Sequence, residues 1–100
     1  MTDAAAWVEA HTHGAPRALL VRVEQHMTSV PEGTLGHRLA QAGELALGES
    51  IRRGSGREGA LDLLAADALI TLALLECAGR DPAELGVTAQ RLRSAAAAVA

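Results

Sequence analysis

The residues best suited to hold a ligand form one arginine-rich segment of the chain. This segment consists of Arg52, Arg53, Gly54, Ser55, Gly56 and Arg57. It precedes a predicted helix, and the free N–H groups and dipole of a helix N-terminus favour an anion. The segment therefore predicts a site for phosphate, a nucleotide or an acidic peptide, unless it is an ordinary exposed turn with solvated charges. Nucleotide hydrolysis is not indicated, because the segment has no P-loop lysine and no strand precedes it.

A second candidate lies within the apolar segment 57–79. The acidic and basic residues on one side of this predicted helix are Glu58, Asp62, Glu76 and Arg80. Asp67 and Thr71 lie about 180° away from them. If the first set faces solvent, Asp67 is buried and must be paired, hydrogen-bonded or protonated. We expect Arg22 or Arg38 as its partner. Asp67 then anchors a ligand, handles a proton, or belongs with Thr71 to a structural polar network. The alternative is that the two residues form a second exposed strip.

The histidines and the cysteine do not indicate a metal or catalytic site. The histidines are His11, His13, His26 and His37. In a helix His11 and His13 would point about 200° apart, which does not suit a shared metal ion. Cys77 lies in the apolar segment without an activating partner, as expected of a small buried hydrophobic residue. We therefore predict no catalytic residue, no metal and no cofactor, and we do not expect an enzyme.

The composition predicts an all-α protein of one domain. The chain has 100 residues, of which 49% are hydrophobic and 1% aromatic. A core built from Leu, Val, Ile, Met and Ala suits packed helices better than a sheet, which favours aromatic and β-branched residues. All nine basic residues are arginine, and Lys and Asn are missing. This bias is typical of a GC-rich, bacterial genome.

Charge and residue usage restrict the partners and the location of the protein. A net charge of −3 disfavours nucleic-acid binding. One cysteine fits a reducing compartment, and the N-terminal segment has no basic region typical of a secretory signal. Asp62, Asp67 and Glu76 interrupt the apolar segment, and each costs about 2.5–3.5 kcal/mol in a bilayer centre. We therefore expect a cytoplasmic protein that does not enter the membrane.

The hydrophobic pattern predicts a bundle of four to five helices around a central helix over residues 57–79. This segment is apolar almost all the way round, as expected of a helix that is covered on every side. Ser55 and Glu58 have the spacing of a capping box at its start. The other predicted helices cover about residues 3–11, 16–29, 34–53 and 81 to the end.

The pattern also indicates surfaces for assembly. Gly36 and Gly43 share one side of their helix and predict either a groove that another helix approaches closely or a loosely specified helix with a kink near Gly48. Trp7 either covers one end of the core or anchors an interface. The second alternative is considered because Trp is common in binding hot spots. Four flanking helices leave room for a second copy to cover part of the central helix.

The leading hypothesis is a non-enzymatic assembly or adaptor module that binds its own copy or a helical protein. The alternative is a bundle that binds a small molecule or an anion at residues 52–57 or in a cavity near Asp67.

Overall fold

The computed structural model describes residues 4–99 and contains five α-helices, with no strand in that range. The helices are α1 (Ala4–Ala10), α2 (Arg17–Thr28), α3 (Leu35–Arg53), α4 (Arg57–Arg80) and α5 (Leu85–Val99). A short 3₁₀ turn, Pro82–Glu84, joins α4 to α5. The prediction of an all-α bundle around a central helix over residues 57–79 is confirmed. Asp3, the predicted start of the first helix, lies outside the described residues.

The core lies between α3 and α4, which run antiparallel along each other, and α2 and α5 pack against both of them. Small side chains make up much of this contact. The fully buried residues of α3 and α4 include Leu39, Ala42, Ala46, Ala65 and Leu69. Alanines allow two helix backbones to approach closely, so the contact is tight even though the chain has almost no aromatic residues. From α1, Val8 is added to the core.

Glycines bring α3 and α4 closest together. A Cβ atom at Gly43 would lie 3.0 Å from Cγ1 of Ile70, and one at Gly36 would meet the Glu76 carboxylate. The predicted glycine groove therefore receives α4 of the same chain. At the other end, a Cβ atom at Gly59 would overlap the backbone carbonyl of Gly54. The start of α4 can lie this close to the end of α3 because position 59 has no side chain.

The turn between α3 and α4 differs from its prediction. Gly54 ends α3 with a φ of +75°, a conformation that glycine adopts without strain. Gly56 is the N-cap of α4, and no side chain caps this end. The predicted capping box of Ser55 and Glu58 is therefore wrong. The Glu58 carboxylate pairs with Arg22 of α2 instead of turning back to its own helix.

One side of α4 is not covered by the described residues. Leu63, Leu64 and Leu75 are 54%, 55% and 50% exposed. Of the two arrangements expected for the central helix, cover by its own chain alone does not hold for the described residues, and cover of the remaining side by a second copy stays a prediction. Among residues 4–99, no helix combines the length and the hydropathy needed to cross a membrane.

The α3–α4 contact predicts opposite effects for two glycine substitutions in α4. Gly59→Ala should lower the free energy of unfolding by about 2 kcal/mol, because the backbone carbonyl of Gly54 must move. Gly79→Ala is the matched control, since a Cβ atom there meets nothing within 4 Å. It should raise the stability by up to about 1 kcal/mol through helix propensity. Urea denaturation of both variants measures the difference, and equal effects would contradict the close approach.

Candidate functional site

A buried carboxylate, Asp62, is the centre of the main polar cluster. Its side chain is 1% exposed and lies on the face of α4 that meets α2. Arg22 donates a hydrogen bond from Nη1 to Oδ1 of Asp62 at 2.7 Å, and His26 Nε2 lies 3.1 Å from the same oxygen. A carboxylate only accepts hydrogen bonds, so Nε2 of His26 carries the proton. Arg22 and His26 are one helical turn apart on α2, which places both over the same acid.

The cluster also includes the end of α3. Nε of Arg53 lies 3.3 Å from Oδ2 of Asp62, an ion pair without hydrogen-bond geometry. Arg53 is also within 3.8 Å of the Glu58 carboxylate and 3.7 Å of the Glu49 carboxylate. The cluster therefore links α2, α3 and α4 at the end of the bundle where the α3–α4 turn lies.

Opposing effects act on the pKa of Asp62. Burial raises it and is the largest single effect. The hydrogen bonds from Arg22 and His26 and the charges of Arg22 and Arg53 together outweigh burial, so the pKa lies below its ordinary value. The hydrogen bond from Arg22 likewise lowers the pKa of Glu58, with help from the charge of Arg22. Asp62 is therefore held as a carboxylate, which suits an ion-pair partner better than a proton donor.

A cleft of about 780 Å³ opens above this cluster, between α2 and the second half of α3. Its lining includes His26, three arginines (Arg22, Arg52 and Arg53) and three carboxylates (Glu44, Glu49 and Asp62), and the arginines and carboxylates are the two charged sets. The two sets have equal numbers and largely pair with each other. The cleft therefore has no excess of positive charge to attract an anion.

The arginine-rich segment at residues 52–57 is involved in the same pairing. Arg52 pairs with Glu49 one turn earlier in α3, and Arg53 faces Glu49, Glu58 and Asp62. Ser55, Gly56 and Arg57 are exposed. Two of the three arginines thus face carboxylates of their own chain, which weakens the case for an anion site.

The prediction that Asp67 and Thr71 form a buried polar network is wrong, and the alternative, a second exposed strip, is confirmed. Both residues are exposed, and the buried acid is Asp62 on the opposite side of α4. Arg22, one of the two expected partners, does bind a buried carboxylate, but that carboxylate belongs to Asp62. Arg38 instead donates hydrogen bonds to the carbonyl oxygens of Val30 and Met27, at 2.6 and 3.2 Å. It therefore stabilises the end of α2.

Asp67 and Thr71 lie in the middle of a mostly apolar surface of α4. We call this surface the α4 strip. It consists of Ala60, Leu63, Leu64, Asp67, Thr71, Leu74, Leu75 and Ala78, all of which are exposed or half-buried. Asp67 is its one charged residue. The strip is about 27 Å long at 1.5 Å of rise per residue, with Asp67 and Thr71 between its two groups of apolar side chains.

The remaining predicted residues lie away from both features. Trp7 is half-buried against the core, and its ring stacks on His11 with centroids 4.0 Å apart. Cys77 is buried, with Sγ 3.3 Å from the hydroxyl oxygen of Thr88 in α5. The part of the chain that the structure describes contains no group of three or more His, Cys, Asp and Glu residues placed to hold a metal ion.

Sequence reasoning missed the importance of Asp62, His26 and Arg53 and of the leucines in the α4 strip. One signal was available: Arg22 and His26 have i, i+4 spacing on one helix, which suits a shared acidic partner. The helical periodicity separated the two sides of α4 correctly. It did not show which side faces the core, because both sides carry polar residues.

Comparisons with known protein families, with curated proteins and with solved structures found no match to this chain.

The buried ion-pair cluster predicts a large cost for removing its acid. Asp62→Asn leaves Arg22 and Arg53 without their shared counter-charge. This substitution should lower the free energy of unfolding by about 2 kcal/mol. The loss is smaller than that from breaking a fully buried ion pair, because both arginines keep some solvent contact. Asp67→Asn, the same change on the exposed side of α4, should leave the urea midpoint unchanged. Equal midpoints for the two variants would contradict the cluster.

The lowered pKa of Asp62 predicts how this cost depends on pH. A carboxylate whose pKa is lower in the folded than in the unfolded chain stabilises the fold fully above its unfolded pKa. That stabilisation is lost as the pH falls through the folded pKa. The difference in unfolding free energy between the wild type and Asp62→Asn should therefore be constant above about pH 5 and shrink below about pH 4. Urea titrations from pH 7 to pH 2 measure it, and a difference that grew in acid would have the wrong sign.

Proposed function

We propose that this protein is a non-enzymatic assembly module that associates with its own copy through the α4 strip. One observation carries the proposal: the longest helix presents a mostly apolar surface on the side opposite the core. Leu63, Leu64 and Leu75 of this surface are each at least half exposed. Monomeric proteins rarely leave a contiguous apolar patch without a use for it.

Burial of the α4 strip provides the driving force for association. Removal of apolar surface from water contributes about 25 cal/mol for each Å², from which the freedom lost on association must be subtracted. An apolar strip is also complementary to itself, as a two-fold interface requires. A strip of like charges would instead repel its own copy.

The ligand-binding alternative receives less support. A ligand site needs polar groups that are free to contact the ligand, whereas the acids and arginines around Asp62 largely pair with each other. This pattern favours a structural role for the cluster, which joins α2 and α3 to α4. A surface without paired charges, the α4 strip, is the better candidate for contact with another molecule.

The proposal predicts that one polar substitution on the strip abolishes association. Leu64→Glu removes one of the exposed leucines and adds a second charge to the strip, so the average mass at high protein concentration should fall to that of one chain. Light scattering coupled to size-exclusion chromatography measures the mass. The wild type should show a mass that rises with concentration towards two chains.

Leu45→Glu is the matched control for this experiment. Leu45 is 44% exposed, against 55% for Leu64, but it lines the cleft above Asp62 on the other side of the bundle. This variant should associate like the wild type. Circular dichroism checks that both variants keep their helices. A wild type that stays monomeric at millimolar concentration, or equal loss of association in both variants, would refute the proposal.

A further inference from the structure

We infer that two copies of the chain pair their α4 strips antiparallel, about a two-fold axis at the level of Leu69, with Asp67 of one copy beside Thr71 of the other. This inference rests on the proposed function and adds the orientation and the register of the pairing. We draw this inference from the order of residue types along the exposed side of α4.

The α4 strip is nearly symmetric about position 69. Three pairs of positions at equal distances on the two sides carry identical residues: Ala60 and Ala78, Leu63 and Leu75, and Leu64 and Leu74. The fourth pair, Asp67 and Thr71, consists of two polar residues that can hydrogen-bond to each other. A two-fold axis perpendicular to an antiparallel helix pair places each position beside its symmetric counterpart on the other copy. Alanine then meets alanine, leucine meets leucine, and the carboxylate meets the hydroxyl.

The spacing along the strip also fits a helix pair. Positions 60, 64, 67, 71, 74 and 78 alternate in steps of four and three residues, which is the spacing of the core positions in a coiled coil. Leu63 and Leu75 flank this seam on its two sides. The alanines near both ends allow the two backbones to approach closely, and the leucines provide most of the apolar surface that becomes buried.

The polar residues distinguish the antiparallel from the parallel arrangement. In a parallel pair, Asp67 would face Asp67 of the other copy, and two carboxylates would repel each other in an apolar seam. In the antiparallel pair, the hydroxyl group of Thr71 can donate a hydrogen bond to the carboxylate of Asp67 on the other copy. The symmetry forms this contact twice, so both exposed polar residues gain a partner.

The same symmetry favours a second copy over a different protein. A partner of another sequence needs only an apolar groove and places no symmetry requirement on the strip. Matching residue types on the two sides of one position are what a self-complementary surface needs. The contact is confined to one helix from each copy and is small for a specific interface, so we expect a dimer that dissociates on dilution.

One substitution distinguishes the two orientations by the sign of its effect. Thr71→Arg places a cation beside Asp67 of the other copy in the antiparallel pair. We expect the dimer to tighten by about fivefold, as two partly exposed ion pairs would give. In a parallel pair two arginines would face each other and weaken the dimer. Sedimentation equilibrium over a concentration series measures the dissociation constant.

A second variant shows whether the gain comes from Asp67. Thr71→Arg combined with Asp67→Ala should lose the fivefold gain, since the added cation then has no carboxylate opposite. A gain that persists in the double variant would overturn the assigned pairing, as would a weaker dimer for Thr71→Arg alone. Both positions are exposed in the chain, so neither variant disturbs the core.

Cross-linking tests the register independently. Ala60→Cys and Ala78→Cys are made separately in a chain in which Cys77→Ala removes the native thiol. On oxidation, the antiparallel pair should give a disulfide between the two variants when they are mixed and none in either variant alone. Disulfides within each variant alone would show the parallel arrangement and overturn the inference.

These outcomes separate the failure of the inference from the failure of the proposed function. If Leu64→Glu dissociates the dimer while each cysteine variant cross-links to itself, the α4 strip is the interface and the antiparallel register is wrong. If the wild type stays monomeric, both the proposed function and this inference are refuted.

Discussion

The close packing of α3 against α4 decides which side of the central helix remains at the surface. Glycine and alanine along both helices bring the two backbones together, and a side chain at Gly59 would overlap the carbonyl group of Gly54. This contact directs Leu69 and Leu72 into the core and leaves Leu64 and Leu75 outside. The candidate interface is therefore a consequence of how α4 packs within its own chain.

α4 departs from the usual amphipathic pattern in two respects, although the rest of its buried side is apolar. An amphipathic helix turns its charges to solvent, whereas α4 buries the carboxylate of Asp62 and exposes leucines. Two arginines and a histidine make this possible, because they hold the carboxylate ionised inside the bundle. The carboxylate of Asp62 is thus used within the chain, and the exposed leucines of α4 are available for contact with another molecule.

The sequence predicted the fold more reliably than the site, for physical reasons. Helix starts and ends are determined locally by Pro, Gly and periodicity, so the bounds of α3 and α4 agree with their predictions to within one residue. The burial of Asp62 depends on Arg22 and Arg53, which are distant along the chain and meet it only after α2 and α3 have packed. Periodicity placed Asp67 opposite Asp62 but could not show which of the two is buried. That choice is made by tertiary ion pairs, which have no signature in the order of residues within one helix.

The most direct test of this account follows the leucine methyl groups of the wild-type chain by NMR as its concentration is raised. The methyl resonances of Leu63, Leu64, Leu74 and Leu75 should shift together with concentration, because these groups leave water when two copies pair. Those of Leu39 and Leu69, which are buried in the single chain, should move little, and so should those of Leu45 in the cleft. Concentration-dependent shifts at Leu45 without shifts in the α4 strip, or no shifts at any leucine, would contradict the account.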